Sequence, residues 1–303
     1  MGSFRFGFQA TATDPREVIN SAQAAEAAGF HVAPMGDHLG AQAGILTTLS
    51  AVAQRTTRIR LCPLVVNNDL RHPVILAQEL ATLDHLSGGR LEVGIGAGHA
   101  FTEYEAIGQH FDPPAIRKAR LAESVEVLRR LFDDGRVSYS GEHYQLREAA
   151  TMRPLQDHVP MLVGVNGKVA LAHAARHADI VAPTMLGRTL PDGQRHETRW
   201  EAARLDDTVA WIRHQAAERW DDLELHALVQ SVIVTDDRQD TARRIEERTG
   251  MVVEDILSTP FLCIGTHEEM ANHLRACRER WGISYYTTRE IESFRPVIER
   301  LPP

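Results

Sequence analysis

Two glycine clusters, a histidine at a strand end and a nearby carboxylate outline the chemistry open to this sequence. The first cluster, Gly94-Ile95-Gly96-Ala97-Gly98, closes a short apolar run. A dinucleotide fingerprint would place glycine at position 99 and open a helix at once. His99 stands there instead, and the next clear helical pattern starts near Ala115, so that reading fails. A strand end without side chains lets a flat ring lie against backbone. A tight turn with close helix packing accounts for the same residues, and both readings stay open. The second cluster, Gly164-Val165-Asn166-Gly167-Lys168, follows another apolar run and opens a helical pattern. Backbone N–H groups at a helix N-terminus bind anions, so this loop suits a phosphate better than a mere turn. It is no Walker A loop, because no Ser or Thr follows Lys168 and the glycine spacing is wrong.

Asp37-His38 ends a third apolar run. A histidine there can hydrogen-bond a ring or pass a proton near neutral pH, although fifteen histidines guarantee some at strand ends. Gln9 is a further polar group at a strand end. Val65-Val66-Asn67-Asn68 reads as an apolar strand end and a turn, followed by Arg71-His72-Pro73. Glu103 and Glu105 offer a general acid or simply solvated charge, the default for carboxylates. His173 and His177 have the four-residue spacing that can place two imidazoles on one metal, yet there is no HExxH and no third ligand is indicated. A partner for the helix dipole is the preferred reading of that pair, and no metal is expected. Neither GxSxG nor a Cys–His pairing suggests a nucleophile.

These residues sit on a regular alternation. Strand-like runs cover Phe4–Phe8, Phe30–Met35, Ile59–Val66, Leu91–Ile95, Met161–Val165, Asp179–Ala182, Leu225–Val234 and Ile283–Thr287. Helical spacing separates them, for example Val18 to Ala28, Val74 to Leu86, Ala115 to Phe132, Val169 to Ala175 and Met270 to Trp281. Asp14-Pro15 supplies an N-cap and a first-turn proline, while Gly29, Gly88 and Gly282 stop helices. Eight βα units in 303 residues predict a single (β/α)8 barrel, spanning 1–303, over an open doubly wound sheet. Two stretches exceed ordinary loop length. Residues 134–160 predict a small hairpin insertion around Gly141-Glu142-His143-Tyr144. Residues 184–203, through Leu190-Pro191-Asp192-Gly193, predict a mobile lid at the rim where barrels do chemistry.

Composition narrows the function classes. A net charge of -8 with no basic run excludes a nucleic-acid surface. Cys62, Cys263 and Cys277 form no CxxC, so neither a disulfide framework nor a zinc ribbon is indicated. No signal peptide is visible in the strand-like N-terminus, and no apolar stretch reaches the roughly 20 residues of a membrane span. A cytoplasmic protein is expected. Lys118 and Lys168 are the only lysines among many arginines, which makes the position of each informative.

Taken in order, several stretches resemble the bacterial luciferase-like oxidoreductases, in particular their branch using the deazaflavin coenzyme F420. They are Phe4–Gln9, Ala24–Phe30, Arg71-His72-Pro73 leading to Ala81-Thr82-Leu83-Asp84, and Leu86 through Gly98. Arg120–Glu123, Gly141–Tyr144, Ala175–Asp179, Gly265-Thr266 and Gly282–Tyr285 continue the match along nearly the whole chain, the run from Arg71 to Gly98 being the most specific. The resemblance implies a barrel, usually a homodimer, with the cofactor ring at the C-terminal strand ends. It implies a non-proline cis peptide within Leu64–Asn67 against which the ring leans. Val65, Val66, Asn67, Gly96, Ala97 and Gly98 would then shape the ring site, and Gly164, Val165, Asn166, Gly167 and Lys168 the phosphate site. His38 would orient ring or substrate, with His99 or Glu103 supplying a proton. His99 departs from the aromatic residue that relatives often carry there, which bears on the substrate rather than the cofactor. Arg188 could pair with an anionic substrate, although rim arginines usually remain solvated.

The expected activity is hydride transfer between coenzyme F420 and a small organic substrate. FMN-dependent oxygen chemistry fits the same fold, because the two ring systems are nearly isosteric. A barrel that only binds ligands would show damaged strand ends, whereas Gly94–Gly98 and Gly164–Gly167 are intact.

Overall fold

The computed structural model describes residues 3–40, 42–190 and 196–301. Eight parallel staves form the sheet: β1 (Arg5–Phe8), β2 (Val32–Met35), β3 (Arg60–Pro63), β4 (Val93–Gly96), β5 (Met161–Val165), β6 (Ile180–Pro183), β7 (Glu224–Leu228) and β8 (Ile283–Thr288). β1 pairs with β8 in the register Arg5↔Tyr285, and β2, β3 and β7 to β4 follow in order around the ring. The ring closes between β3 and β4 in two pieces. Leu61 bridges Leu91 at one end, and a short extension of β3, Val66–Asn67, pairs with Ile95 and Gly96 at the other. Between the pieces lies the cis peptide Leu64–Val65, inside the window expected from the resemblance. The structure is therefore a (β/α)8 barrel.

Local signals act where the sequence puts them. Asp14 accepts a hydrogen bond from the Arg16 amide at 2.8 Å and starts helix Pro15–Ala27. Pro73 opens helix Pro73–Ser87, and Gly88, at φ 69°, ends it in the left-handed conformation that costs glycine least. The inward face of that helix buries Leu76, Ala77, Leu80 and Leu83 against the barrel. Burying each leucine contributes about 1.5–3 kcal/mol. Inside the lower barrel, Arg5 pairs with Glu92 and, at 2.6 Å, with Glu224, while Arg60 reaches Glu92 at 2.7 Å. Buried charge persists only when paired in this way, and the salt bridges plug the N-terminal end.

Several elements differ from or refine the expected set. The run Leu225–Val234 is two strands, because the chain leaves the barrel at Val229-Gln230. Ser231–Val234 then pairs in parallel with Leu262–Gly265, a strand absent from the predicted set. A helix begins at Phe101 rather than near Ala115, although Phe101–Ala106 is short and precedes the long helix Pro114–Asp134. The 134–160 insertion is a hairpin, Arg136–Ser140 with Gln145–Ala150, and Glu123 accepts the amides of Glu142, His143 and Tyr144 at its turn. The 184–203 segment is likewise a hairpin, Leu186–Thr189 with His196–Thr198. Its tip, Pro191 to Arg195, lies outside the described residues, as does the Arg188 side chain. No helix among the described residues is long and apolar enough to cross a membrane.

Candidate functional site

All eight staves deliver a residue to one cavity of about 500 Å³ at the C-terminal end of the barrel. Gln9 follows β1, His38 follows β2, and Val65 and Asn67 end β3. Gly96 to His99 end β4, Gly164 to Asn166 end β5, Thr184 follows β6, and Gln230 and Arg289 follow β7 and β8. The size lies in the range of small-molecule and cofactor sites.

One wall is built around the cis bond. Gln9 donates from Nε2 to the Leu64 carbonyl at 3.3 Å, and Arg289 donates to the Gln9 Oε1 at 3.0 Å. Val65 projects over two glycines: a Cβ on Gly96 would meet its Cγ2 at 2.7 Å, and one on Gly164 would meet its Cγ1 at 3.4 Å. The glycines therefore do not leave bare backbone for a ring, as one reading of the sequence had it. They make room for Val65, whose side chain becomes the bulge facing the cavity. Val66, named with it, faces the opposite way and is fully buried in the core, since successive strand residues alternate faces. Asn67 lines the cavity, yet its Oδ1 accepts from the Asp69 amide at 3.1 Å and from the Tyr104 hydroxyl at 3.1 Å. Its backbone N–H donates to Asp37, which also pairs with Arg71.

Gly98 also has no room for a side chain. Its φ is +72°, and a Cβ there would strike the Tyr104 hydroxyl at 2.1 Å and Asn67 Oδ1 at 2.5 Å. Arg117 grips the same turn from outside, donating to the carbonyls of Ala97 and Gly98, its guanidinium 4.1 Å from the Phe111 ring centre.

Above the wall three imidazoles gather. His38 Nδ1 lies 2.7 Å from Glu103 Oε1, so two residues proposed for chemistry from separate strand ends meet directly. Glu105, its companion in the sequence, is exposed and does not line the cavity. The His99 ring stands edge-on to His38 at 5.4 Å and lies 5.1 Å from the His196 ring. His99 is exposed toward the cavity. Desolvation by the protein around the ring, then the neighbouring His38, His196 and Arg117, lowers its pKa to about 4. Hairpin residues Leu186, Gly187 and His196, with Trp200, roof the space, and Trp200 stacks on Phe261 at 5.4 Å. On the floor, His226 is buried beside the Thr287 hydroxyl at 2.9 Å, and burial lowers its pKa to about 3.

Both lysines stand at the Gly164–Lys168 loop. Lys118, from the first turns of helix Pro114–Asp134, donates to the Asn166 carbonyl at 2.8 Å and lines the cavity. Burial, then Arg117, lowers its pKa. Lys168 is exposed beyond the loop, 5.3 Å from the Trp211 ring, and with Gly167, Arg199 and Arg204 lines an adjoining hollow of about 260 Å³. Asn166 joins the two spaces, its amide donating to the Leu186 carbonyl at 3.0 Å. Lys118, Arg117, Arg289, His226 and Trp200 escaped sequence reasoning; only Lys118 carried a signal, as one of two lysines.

His173 and His177 lie outside the cavity, on the barrel's outer wall. A third donor absent from the sequence pattern does exist: Glu126, on the neighbouring helix, completes a group of three whose ligand atoms lie within 4.8 Å of one another. The sequence indicated no third ligand because that donor is 47 residues away (173 − 126).

Comparison with known proteins agrees with this architecture. The F420-dependent glucose-6-phosphate dehydrogenase of Segniliparus rotundus is 34% identical over 186 residues, covering 58% of this chain and 55% of that protein. Its counterpart in Nakamurella multipartita is 33% identical over 219 residues, 67% of this chain and 64% of that one. The chain thus matches a little over half the length of these curated relatives. Among solved structures, the coenzyme F420-dependent tetrahydromethanopterin reductase of Methanopyrus kandleri superposes with a TM-score of 0.78 at 20% identity, covering 99% of this chain and 100% of that one. A secondary alcohol dehydrogenase with an F420–acetone adduct gives 0.78 at 19% identity, covering 100% and 99%. At such identity these two show the shared barrel alone. Residues 2–285 match the luciferase-like monooxygenase family, and the chain belongs to it.

Proposed function

We propose that this protein is a coenzyme F420-dependent oxidoreductase moving a hydride between the deazaflavin and a small organic substrate. The observation that carries the reading is the meeting of the Val65 bulge, the His38–Glu103 pair and Lys118 around one cavity. Relatives named as F420-dependent support the choice of cofactor.

The residues present fit the group. Val65 offers an apolar support for a flat ring, and Asn166, Gly167, Lys118 and Lys168 would hold an anionic tail beside the helix N-terminus. When bound, the deazaflavin supplies a carbon that takes up or gives a hydride; the protein supplies orientation and proton control. His38, its Nδ1 held by Glu103, presents Nε2 as the atom that takes the proton of a substrate hydroxyl or returns it. His99, with its pKa near 4, is neutral at pH 7 and serves as a hydrogen-bonding wall rather than a resident acid. Leu186, Gly187, His196 and Trp200 exclude water.

Homodimerisation and a cytoplasmic location belong to the same proposal. Ile75 and Leu86 are exposed on one face of helix Pro73–Ser87, supporting the first, and three buried free cysteines support the second. Light scattering of the purified protein tests the dimer.

Fluorescence titration with oxidised coenzyme F420 and with FMN tests the cofactor, followed by turnover assays beginning with glucose 6-phosphate and simple secondary alcohols. Micromolar binding of the deazaflavin alone is expected. Preference for FMN, with oxygen uptake in the presence of reduced flavin, would move the protein to the monooxygenases, and binding of neither would leave a non-redox barrel.

A further inference from the structure

Helices Pro114–Asp134 and Lys168–His177 pack side by side on the outer wall. On this seam Glu126 faces His173 and His177. The two histidines lie four residues apart, on one face of the second helix, with ring centres 4.4 Å apart and planes inclined by 27°. Nε2 of His173 is buried without a hydrogen-bond partner, 3.5 Å from Glu126 Oε1. We propose that Glu126, His173 and His177 bind a divalent cation of zinc type, with water completing its coordination, at a site separate from the cavity.

The donor set suits such an ion. Two imidazoles and one carboxylate are ligands that zinc takes at about 2.0–2.2 Å. Tetrahedral coordination at those lengths asks for donors about 3.4 Å apart. From a present spread within 4.8 Å, side-chain rotations of roughly an ångström reach it. Imidazole with a single carboxylate favours zinc and its late-transition neighbours over calcium or magnesium, which prefer all-oxygen shells.

The surrounding charges leave the position to a cation. Tyr139 donates to the other carboxylate oxygen of Glu126 at 3.4 Å, so Oε1 remains directed at the histidines. Arg176 is occupied by Gln215, and Arg219 by the carbonyls of Ala175 and Ala178 at 2.9 and 2.8 Å. An ion at this point would tie together the helix that carries Lys118 and the helix that follows the Asn166 loop.

The full-length protein, stripped with EDTA, is titrated with Zn²⁺ by calorimetry and with Co²⁺ by visible absorption. One equivalent should bind, with a cobalt spectrum of low coordination number and a rise in Tm. His177→Ala, at an exposed position, and Glu126→Gln should each weaken binding at least about tenfold, the loss that even outer-shell changes cause. Their Tm in EDTA should match the parent within a few degrees, which separates lost ligation from lost folding. Absence of binding at millimolar metal overturns the proposal. So does unaltered affinity in His177→Ala, or binding removed by His99→Ala instead, which would place the ion in the cavity.

Discussion

His38 Nδ1 and Glu103 Oε1 lie 2.7 Å apart, although one follows β2 and the other rides a short helix after β4. The contact fixes which ring nitrogen His38 can offer to a substrate, because the carboxylate occupies the other. Glu103→Gln should therefore lower kcat by about 10²-fold, the lower end of what a positioned acid or base contributes. Cofactor affinity should stay within a few-fold. An unchanged kcat would show that Glu103 merely orients the helix.

The lysines separate by burial. Lys118 is half-buried and tied to Asn166, while Lys168 reaches solvent over Trp211. A cation held in place beside a loop of backbone donors loses less freedom on binding an anion than a mobile one does. Lys118→Ala should weaken binding of an anionic cofactor about tenfold, Lys168→Ala roughly threefold, in keeping with one partly desolvated and one exposed ion pair. Titration of the deazaflavin against both variants decides this. Equal and negligible effects would remove the loop from the phosphate site.

Gly98 tests the wall itself. Alanine there is strained by the +72° φ and collides with Tyr104 and Asn67. Gly98→Ala should destabilise the fold by about 2 kcal/mol or more, lowering Tm by several degrees, and should shift the turn that Arg117 grips. Tyr104→Phe in the same background removes the nearest oxygen and should recover part of the loss. A parent-like Tm in the single variant would mean the turn has slack that the geometry denies.

The barrel was legible because each stave is an apolar run bounded by glycine, proline or a cap, as at Asp14-Pro15 or Ser87-Gly88-Gly89. Val66 was misplaced because two successive strand residues were given to one face, whereas alternation sends Val65 and Asn67 to the cavity and Val66 to the core. The pair Ser231–Val234 and Leu262–Gly265 was missed because the first strand runs on almost unbroken from β7, and only the turn at Val229-Gln230 divides them. Glycines 94, 96 and 98 pointed to the right wall for an incomplete reason. They accommodate Pro63, Val65, Tyr104 and Asn67, neighbours from distant parts of the chain. Glu126 with His173, and Lys118 with Asn166, arise only when adjacent helices pack.

Acid should weaken the fold well before its carboxylates titrate. Burial holds His226 at about 3 and His273 at about 4, against an ordinary 6.5. Below pH 6.5 the unfolded chain takes up protons on both residues and the folded chain does not. The stability they contribute is thus complete above 6.5 and is lost as pH falls from there toward 4. The slope approaches about 1.4 kcal/mol per pH unit for each group. Asp179 and Asp206 behave oppositely in origin, their folded values lying below 3.8, and their contribution is lost only at lower pH. Between pH 6.5 and 5 the histidines dominate. His226→Gln, which can keep a hydrogen bond to Thr287, should flatten the decline by up to one proton's worth. Urea midpoints at pH 7.5, 6 and 5 measure it. Parallel curves for parent and variant would mean that His226 takes up its proton in the folded barrel as readily as in the unfolded chain.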